Sequence, residues 1–497
     1  MAGRRRYSFY NGVFAGDAMD FSRRYPQVRE ILLERINPRR VILPMKMHYG
    51  VPCLPTVEVG SRVKAGQCVG MPAPHTFASP VHTGISGTVT AIETIKLPNG
   101  IETPAVFIEN DMKRAVLESI VPRKTMNLTS HDAVGIIRAA GICGMGGEGI
   151  PTAAKISRAR NYAVDDLLVN CLQSEPFATS DLMIVNEHSG YVVYGAAAVA
   201  RACGAKNIKI LISHRRKSEL KMLEGSVERA ARDFPDLNIE IKLFRDRFPQ
   251  GYYRLVGKAL YSVDMGPNDT LEGKCKAVMF NCATMYSCWA ALADNMPLME
   301  RVVTVCAGAD THNVLAPIGT PVGELIATST APTTDKIIWG NCFTGIAIDN
   351  PEDTPIIKMT SAVTVVPKTE VPRTPCIHCG LCSETCPMSL SPNIVYEMLV
   401  QGLTQKAAEE GGRDCIACGT CSYICPAGID LANKIALFAS AGRVIEENSL
   451  LHNTKFDTGK FDIGEVSLLE EYPDEVKPDE KIPKDGLILP FKEGKPV

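Results

Sequence analysis

A doubled cysteine motif near the C-terminus restricts the possible fold of this 497-residue chain more than any other feature. The pattern C-x2-C-x2-C-x3-C-P begins at Cys376 and returns intact at Cys415. Three cysteines spaced in this way can wrap one [4Fe–4S] cubane, and the fourth, displaced on a short helix start, reaches a second cubane. The motif therefore predicts two [4Fe–4S] clusters that exchange one cysteine ligand each.

The exchange of the fourth cysteine gives two predicted ligand sets. One set is Cys376, Cys379, Cys382 and Cys425, and the other is Cys415, Cys418, Cys421 and Cys386. A structural zinc site is the alternative, but it needs only four sulfurs per ion, usually as two separated C-x2-C pairs. Zinc would leave the third spacing and both Cys-Pro steps unexplained. Residues 366–440 are therefore predicted to form a ferredoxin-like helical domain whose clusters lie close enough for electrons to hop between them.

The overall cysteine content supports the same interpretation. Eighteen cysteines in a long chain without a leader favour metal or cluster ligation over disulfides. The ten cysteines outside the two motifs show no ligand spacing. We expect those ten to be buried as small apolar side chains.

Length and charge set wide limits on the rest of the chain. A chain of 497 residues exceeds what one hydrophobic core usually supports, which favours several domains. The formal net charge of −2 gives no electrostatic reason to expect a nucleic-acid partner. No apolar segment follows the basic N-terminus, and no window approaches the roughly eighteen apolar residues of a membrane span, so the sequence predicts neither signal peptide nor transmembrane helix. We expect a cytoplasmic protein, either free or at the cytoplasmic face of the membrane.

The first part of the chain predicts an arm followed by a small all-β domain. Residues 1–40 form a basic N-terminal arm without an assigned function, in which 19–36 is the best helical segment. In residues 41–112, short β-branched runs alternate with turn residues. Two segments in this region, 57–70 and 79–89, resemble the barrel-sandwich fold of lipoyl and biotinyl domains. In such domains a lysine at the hairpin between the two segments carries the cofactor. Lys46 is rejected for this role because it precedes both segments, and the hairpin between them contains no lysine.

The middle of the chain predicts an α/β domain and a second β-rich module. Residues 130–298 alternate helical and strand patterns, which indicates a parallel sheet. Residues 299–346 return to short strands and suggest a compact β-grasp-like module. Residues 351–375 are rich in Pro and Thr and are expected to be a linker, and 441–497 are expected to be an extended tail. The predicted fold class is thus multidomain, combining α/β and all-β domains with the helical cluster domain.

A glycine-rich loop lies between two helical patterns of the α/β region. Gly144, Gly146, Gly147 and Gly149 stand close together, and Lys155 follows them. Glycines let the backbone close on a ligand, while exposed N–H groups, the start of the next helix and the lysine cation favour an anion. The loop matches neither the P-loop nor the dinucleotide fingerprint. It indicates a phosphate-bearing cofactor, with a plain flexible loop as the alternative.

The order of these features over about residues 41–440 resembles the C subunit of the Rnf electron-transport complex. The flavin domain of that RnfC-like family is related to the NADH-binding subunit of respiratory complex I. Segments 144–155, 169–176 and 280–284 look like the family's flavin-binding segments, and 317–326 looks like its β-grasp module. The resemblance implies an FMN held by Gly144, Gly146, Gly147, Gly149, Lys155, Asn170, Glu175, Asn281 and Thr284. It assigns no catalytic residue.

The resemblance also implies a function. Electrons would pass from a donor, either NADH or a redox protein, through FMN and the two [4Fe–4S] clusters to a partner. That partner would be another redox protein or a membrane electron-transport subunit, which makes the chain an oxidoreductase subunit. Two alternatives stay open: a soluble RnfC-like paralogue that feeds a catabolic reductase such as proline reductase, and a flavin-free scaffold subunit that carries only the clusters.

The sequence departs from the family pattern beside the expected nicotinamide. Tyr252 and Tyr253 stand where relatives carry a glycine and an acidic residue. Glu148 replaces a small alanine of the flavin loop, and Gln173 replaces a glutamate. These departures imply an enlarged or closed nicotinamide pocket and predict slow direct oxidation of NADH. Local packing of the two tyrosines is the alternative interpretation.

Overall fold

Strands dominate both flanks of a central α/β region. The computed structural model describes residues 6–8, 13–14, 32–74, 76–123, 126–172, 176–331, 335–368, 373–441 and 487–489. Its strands are β1 (Arg6–Tyr7), β2 (Val13–Phe14), β3 (Leu32–Arg35), β4 (Arg40–Pro44), β5 (Leu54–Pro55), β6 (Arg62–Val63), β7 (Cys68–Met71), β8 (Val81–His82), β9 (Gly87–Lys96), β10 (Glu102–Asn110), β11 (Met126–Leu128), β12 (Asp166–Asn170), β13 (Asn207–Ser213), β14 (Asn238–Phe244), β15 (Arg247–Phe248), β16 (Ala277–Asn281), β17 (Glu300–Cys306), β18 (His312–Pro317), β19 (Lys336–Trp339), β20 (Ile346–Ile348), β21 (Ala362–Val366) and β22 (Leu487–Leu489). Its α-helices are α1 (Ser130–Ala139), α2 (Thr152–Asn161), α3 (Ser180–Cys203), α4 (Lys217–Asp233), α5 (Tyr253–Tyr261), α6 (Leu271–Cys275), α7 (Cys282–Asp294), α8 (Val322–Ile326), α9 (Leu381–Thr385), α10 (Pro392–Val400), α11 (Thr404–Glu409) and α12 (Thr420–Ile424). Residues 431–441 are helical as well.

Two small antiparallel sheets make up the first domain, as the alternating sequence pattern predicts. One has the strand order β4-β10-β9-β6 and the other the order β5-β7-β8. A β-carbon on Gly70 of β7 would lie only 2.5 Å from the sulfur of Met45, which follows β4. The two sheets therefore approach each other closely where Met45 fills the space above a glycine.

A five-stranded sheet forms the centre of the α/β region. Its order is β1-β14-β13-β12-β16, and β12, β13, β14 and β16 run parallel. Along β12, Leu167 and Val169 belong to the main hydrophobic core, whereas Leu168 belongs to a second cluster together with Phe244. Successive side chains of a strand point to opposite faces, so the sheet is buried on both. This double burial explains the continuous apolar run of β12.

The main core extends beyond the parallel sheet. Buried residues of the first domain, such as Val69, and of the six-stranded sheet, such as Val363, belong to the same cluster as Val169. The first domain, the α/β region and the six-stranded sheet are therefore packed as one body.

The six-stranded sheet corrects two sequence predictions. Its order is β20-β19-β21-β17-β18-β3. The linker prediction for 351–375 is wrong for β21, because β21 lies between β19 and β17 and buries Val363 and Val365. The helix prediction for 19–36 is wrong for Leu32–Arg35, which pair as β3 with β18, while 19–31 lie outside the described residues.

The cysteine motifs lie in a helical module with a core of its own. Val395, Ala407, Leu431 and Ile435 pack together with four of the motif cysteines, two of them buried and two partly buried. From the predicted tail, Leu487–Leu489 pair with Met126–Leu128, and the other residues after 441 lie outside the described part of the chain. None of the helices within the described ranges is both long and apolar enough to cross a membrane.

Candidate functional site

The glycine loop, β12 and β16 meet at the carboxyl edge of the parallel sheet. Asn170 ends β12 and Asn281 ends β16, and the two residues are paired in register. A β-carbon on Gly146 would lie 3.2 Å from the β-carbon of Asn281, and Met145 N donates to Thr284 Oγ1 at 3.0 Å. Ligands of open parallel sheets bind in the crevice outside the carboxyl ends of the strands. The predicted flavin residues of these three segments are thus brought together where such a ligand belongs.

The loop itself is a closed turn that only glycine can form. Gly144 N donates to Ile150 O at 2.8 Å, and Gly149 N donates to Gly144 O at 3.1 Å. Gly147 and Gly149 have φ angles of +118° and +66°. A β-carbon on Gly147 would meet no atom within 4 Å, so space is open beside this residue. The turn leads directly into α2, whose N-terminus favours an anion such as a phosphate.

Lys155 lies on α2 close to the loop. Its Nζ is 3.4 Å from Glu148 Oε2 and 5.4 Å from the ring centroid of Phe280. The Lys155 side chain is 13% exposed, whereas that of Glu148 is 55% exposed. Exposed ion pairs contribute little, about 0–1 kcal/mol. A phosphate bound at the loop can therefore replace Glu148 as the partner of Lys155.

Asn170 connects the strand edge to the loop that precedes α5. Its Nδ2 donates to Gly251 O at 3.0 Å, and its Oδ1 accepts from Leu172 N at 3.1 Å. Glu175, the remaining residue predicted to hold FMN, and Gln173 lie outside the described residues. Asn170 is thus placed with Asn281 and Gly251, and the role of Glu175 stays a prediction.

The two tyrosines after Gly251 have different surroundings. Tyr252 immediately precedes α5, and its ring centroid lies 4.8 Å from that of Tyr253. Tyr253 packs against the second core cluster, which includes Leu168 and Val256. Local packing therefore accounts for Tyr253, and restricted access of a nicotinamide at Tyr252 stays a prediction.

Sequence reasoning missed Asp181, a buried carboxyl that holds Asn281. Asn281 Nδ2 donates to Asp181 Oδ2 at 2.6 Å, and Asn281 Oδ1 accepts from Ala283 N at 2.8 Å. Burial raises the pKa of Asp181, while the hydrogen bond from Asn281 and the charge of Arg301 oppose this rise. In the sequence Asp181 looks like an ordinary acidic residue in the first turn of α3, so no local signal could have identified it.

Unsatisfied polar atoms in this region fit a bound flavin nucleotide. Within the described residues, Thr152 Oγ1, Ser180 Oγ and Asp181 Oδ1 are buried without a hydrogen-bond partner. Buried polar atoms of native proteins are nearly always paired. Thr152 begins α2 beside the glycine loop, and Asp181 adjoins Asn281. The closed turn, the open space at Gly147 and these unpaired groups together suit a polar, phosphate-bearing ligand.

Eight motif cysteines line two cavities, four in each. The first, called the Cys376 cavity here, is lined by Cys376, Cys379, Cys382 and Cys425. The second, called the Cys415 cavity, is lined by Cys415, Cys418, Cys421 and Cys386. The structure thus groups the cysteines in the same two sets that the spacing predicts.

The two motifs repeat the same backbone geometry. His378 N donates to Cys376 Sγ and Ala417 N donates to Cys415 Sγ, each at 3.4 Å. Gly380 and Gly419, at φ of +78° and +79°, start the short helices α9 and α12. The left-handed backbone conformation at these two positions explains why a glycine follows the second cysteine of each motif.

The chemistry of the thiols also fits iron. Burial raises the pKa of the Cys386 and Cys421 thiols. A thiolate at either position therefore needs a cation beside it, and cluster iron supplies that charge. Of the ten other cysteines, Cys68, Cys275 and Cys342 are half-buried and the rest are buried, largely as expected.

Three family models match the chain. They are the RnfC barrel sandwich hybrid domain over residues 8–113, the Nuo51 FMN-binding domain over 137–290 and a 4Fe-4S dicluster domain over 374–429. Two solved structures of NAD+-reducing [NiFe]-hydrogenase are similar at TM-scores of 0.43 and 0.46, with 16% and 18% identity over 62% of this chain and 60% and 61% of theirs.

Curated relatives match over most of this chain. The C subunit of the Na(+)-translocating ferredoxin:NAD(+) oxidoreductase complex of Acetobacterium woodii is 30% identical over 76% of this chain and 85% of its own length. The C subunit of the proton-translocating ferredoxin:NAD(+) oxidoreductase complex of Clostridium ljungdahlii is 29% identical over 81% of this chain and 87% of its own length. For the C subunit of the ion-translocating oxidoreductase complex of Edwardsiella ictaluri, the match of 29% identity covers 79% of this chain but 48% of the relative.

Fold, site and family models together define an iron–sulfur flavoprotein of electron transfer, with FMN and [4Fe–4S] clusters as its cofactors. The chain belongs to the RnfC family. The predicted barrel-sandwich domain, complex-I-type flavin domain and two-cluster ferredoxin-like domain are confirmed. The flavin-free scaffold and the reductase-feeding paralogue are not favoured.

Proposed function

We propose that this chain belongs to an RnfC-type complex and couples a two-electron flavin to one-electron redox carriers. The observation that carries the proposal is the division of eight cysteines between two cavities in a chain that also has a flavin-type sheet edge. When bound, FMN exchanges two electrons and each [4Fe–4S] cluster exchanges one. The residues of the chain bind and orient these groups and shield them from water.

For FMN, the proposed binding residues act in two groups. Gly144, Gly146, Gly147, Gly149 and Lys155 would hold the phosphate, supported by the closed turn and the start of α2. Asn170, Asn281 and Thr284 would contact the flavin from the sheet edge, with Glu175 as the remaining predicted ligand. Asp181 would keep Asn281 in place.

The eight motif cysteines are the proposed cluster ligands. The Cys376 cavity would hold one cluster and the Cys415 cavity the other, with Cys425 and Cys386 as the exchanged ligands. The backbone N–H groups of His378 and Ala417 would donate to ligand sulfurs and so tune the cluster potential.

We also propose the domain boundaries predicted from sequence, with one extension. These are an arm at 1–40, the barrel-sandwich domain at 41–112, the flavin domain at 130–298, a β-grasp module at 299–346, the cluster domain at 366–440 and a tail at 441–497. The hairpin of β17 and β18 and the following α8 support the β-grasp arrangement. Because β21 pairs with both β17 and β19, residues 362–366 should be assigned to that module, and the cluster domain should begin after them.

The relatives' names indicate the class of partner. Two of them are subunits of ferredoxin:NAD(+) oxidoreductase complexes that translocate ions. We propose that this chain likewise works beside membrane subunits at the cytoplasmic face and exchanges electrons with a redox protein of the ferredoxin class.

Cofactor content tests the proposal directly. Protein purified without oxygen should contain about eight iron, about eight sulfide and about one FMN per chain, because each cubane holds four of each atom. Iron and sulfide are measured by colorimetry, and FMN is measured by fluorescence after acid release. Stoichiometric zinc in place of iron, or a protein that takes up no added FMN, would contradict it.

A further inference from the structure

An ion pair joins the cluster module to the flavin domain beside one of the two cavities. Arg254, in the first turn of α5, is 4% exposed and donates from Nη2 to Asp414 Oδ1 at 2.6 Å. Its Nη1 donates to the Asp414 carbonyl at 3.2 Å, and its Nε donates to the carbonyl of Met265 in the flavin domain at 2.7 Å. Asp414 immediately precedes Cys415. The guanidinium therefore fixes the Cys415 cavity relative to the parallel sheet.

Three aromatic rings make a second contact at the same cavity. Phe248 stacks on Phe343 with 5.3 Å between ring centroids, and Phe343 meets Tyr423 edge-on at 5.0 Å. Cys418 packs against Phe248. A β-carbon on Gly419 would lie 2.9 Å from the Phe343 carbonyl oxygen. Apolar rings thus fill the space between the flavin domain and the second cysteine motif.

The Cys376 cavity has the opposite environment. Residues 373–379 are exposed, and the side chain of Ile377 is 63% exposed. Cys376 and Cys379 are exposed as well, whereas Cys421 and Cys386 of the Cys415 cavity are buried. The module therefore has an inner cavity toward the flavin domain and an outer cavity toward solvent.

The segment that leads into α5 and ends at Arg254 also reaches the proposed flavin site. Gly251 O accepts from Asn170 Nδ2 at 3.0 Å, and Arg254 follows three residues later. Residues 247–254, called the bridging segment here, run from β15 to the first turn of α5. This segment therefore contacts the sheet edge through Gly251 and reaches the Cys415 cavity through Arg254 and Phe248. The rate of electron tunnelling falls exponentially with distance. The Cys415 cavity, which this short segment connects to the flavin site, is therefore favoured for electron transfer with the flavin.

We infer that the cluster of the Cys415 cavity is the one that exchanges electrons with the flavin, and that Arg254 is a positioning residue that holds it in place. This inference rests on the function proposed above. Starting from a two-electron-reduced flavin, the first electron would enter the cluster of the Cys415 cavity and move on to the cluster of the Cys376 cavity. The second electron would then remain in the Cys415 cavity, so the flavin would end oxidised and each cluster would hold one added electron. The cluster of the exposed Cys376 cavity then faces the external redox partner.

The test first assigns a spectroscopic signal to each cavity. Electron paramagnetic resonance of the reduced holoprotein is recorded for the wild type and for Cys386→Ser and Cys425→Ser. The signal altered by Cys386→Ser belongs to the Cys415 cavity, and the signal altered by Cys425→Ser belongs to the Cys376 cavity. Iron and FMN counts accompany each sample.

Arg254→Gln is then compared with Arg413→Gln. Arg413 is the matched control because it lies next to Asp414 and places its guanidinium over Phe438 within the cluster module. Arg254→Gln loses two hydrogen bonds to Asp414. The rate of hydrogen exchange at amides 412–424 should therefore rise about tenfold or more, and the time constant for reduction of the Cys386-dependent signal should rise about tenfold or more as well. Arg413→Gln should change neither. Arg254→Lys, which keeps the charge but not the fork, should give an intermediate result.

Two outcomes would overturn the inference while leaving the proposed function intact. One is an Arg254→Gln effect that falls on the Cys425-dependent signal. The other is an Arg254→Gln holoprotein with wild-type hydrogen exchange and wild-type signals. A wild-type protein without iron or FMN would instead remove the proposed function, and with it this inference.

Discussion

At the residue scale, we expect Tyr252 to restrict the approach of a nicotinamide to the proposed flavin site. Its ring adds bulk where relatives carry a glycine, and Tyr253 replaces the acidic residue that can accept hydrogen bonds from the nucleotide. Losing such a charge-assisted hydrogen bond costs about 1.5–3 kcal/mol, or about ten- to a hundredfold in affinity. We therefore expect slow flavin reduction by NADH and faster reduction by a ferredoxin-class donor. Tyr252→Gly should speed the NADH reaction in stopped-flow measurements.

Tyr253→Phe is the matched control, because Tyr253 packs in the second core cluster and the ring is kept. It should leave the NADH rate unchanged. Rapid bleaching of the wild-type flavin by micromolar NADH would show that Tyr252 leaves the nicotinamide pocket open.

Residue-scale prediction is strongest where chemistry imposes a spacing. The cysteine ligand sets follow from sequence because one cubane must be reached by three near cysteines and one distant one. Asp181 and Arg254 could not be found this way, since their partners, Asn281 and Asp414, are 100 and 160 residues away. Only the folded structure brings such pairs together.

At the element scale, the crossing of α3 and α7 depends on a single glycine. A β-carbon on Gly195 would lie 2.0 Å from the Met285 carbonyl oxygen and 3.4 Å from the β-carbon of Trp289. Gly195→Ala should therefore push the helices apart and destabilise the protein by about 1–3 kcal/mol. The melting temperature of the holoprotein, followed by circular dichroism, measures this effect.

Gly135→Ala is the control, because a β-carbon on Gly135 of α1 would meet no atom within 4 Å. Alanine is favoured over glycine inside a helix by about 0.5–1 kcal/mol, so this variant should melt at or above the wild-type temperature. A Gly195→Ala protein that melts no lower than the wild type would contradict close helix packing.

Element prediction from sequence worked for strands and helices with a clear period and failed where flanking composition dominated. The run from Ala362 to Val366 is β-branched and buried, but the Pro and Thr residues around it indicate a linker. Leu32–Arg35 fit a helical pattern, yet they pair with β18 because that sheet edge needs a partner strand. In both cases tertiary pairing overrode local preference.

At the scale of the whole molecule, one buried lysine ties together the three parts that share the main core. Lys358 Nζ donates to Pro80 O at 2.5 Å, to Gly141 O at 2.7 Å and to Ser79 Oγ at 3.3 Å. Ser79 and Pro80 belong to the barrel-sandwich domain, Gly141 leads into the glycine loop, and Lys358 precedes β21. The position of the glycine loop thus depends on all three parts, which is why its geometry could not be predicted from the loop sequence.

Two buried histidines at this junction make its stability depend on pH. Burial, together with the smaller effect of the Lys358 charge, lowers the pKa of His48 to about 4 and that of His82 to about 3. In the unfolded chain a histidine has a pKa of about 6.5. Below pH 6.5 the unfolded state therefore binds more protons than the folded state, so stability falls as the pH falls toward 4 and is regained above 6.5.

Acidification from pH 7 to pH 5 should therefore cost on the order of 2 kcal/mol for each of these histidines. Trp289 and Trp339 are buried in the main core, so their fluorescence during thermal unfolding of the holoprotein reports on this body. The double variant His48→Gln with His82→Gln should lose much of the fall in melting temperature between pH 7 and pH 5. His131→Gln, at a half-exposed position of α1, should keep the wild-type fall. An equal fall in the double variant would mean that carboxyl groups elsewhere, and not the junction histidines, set the acid sensitivity.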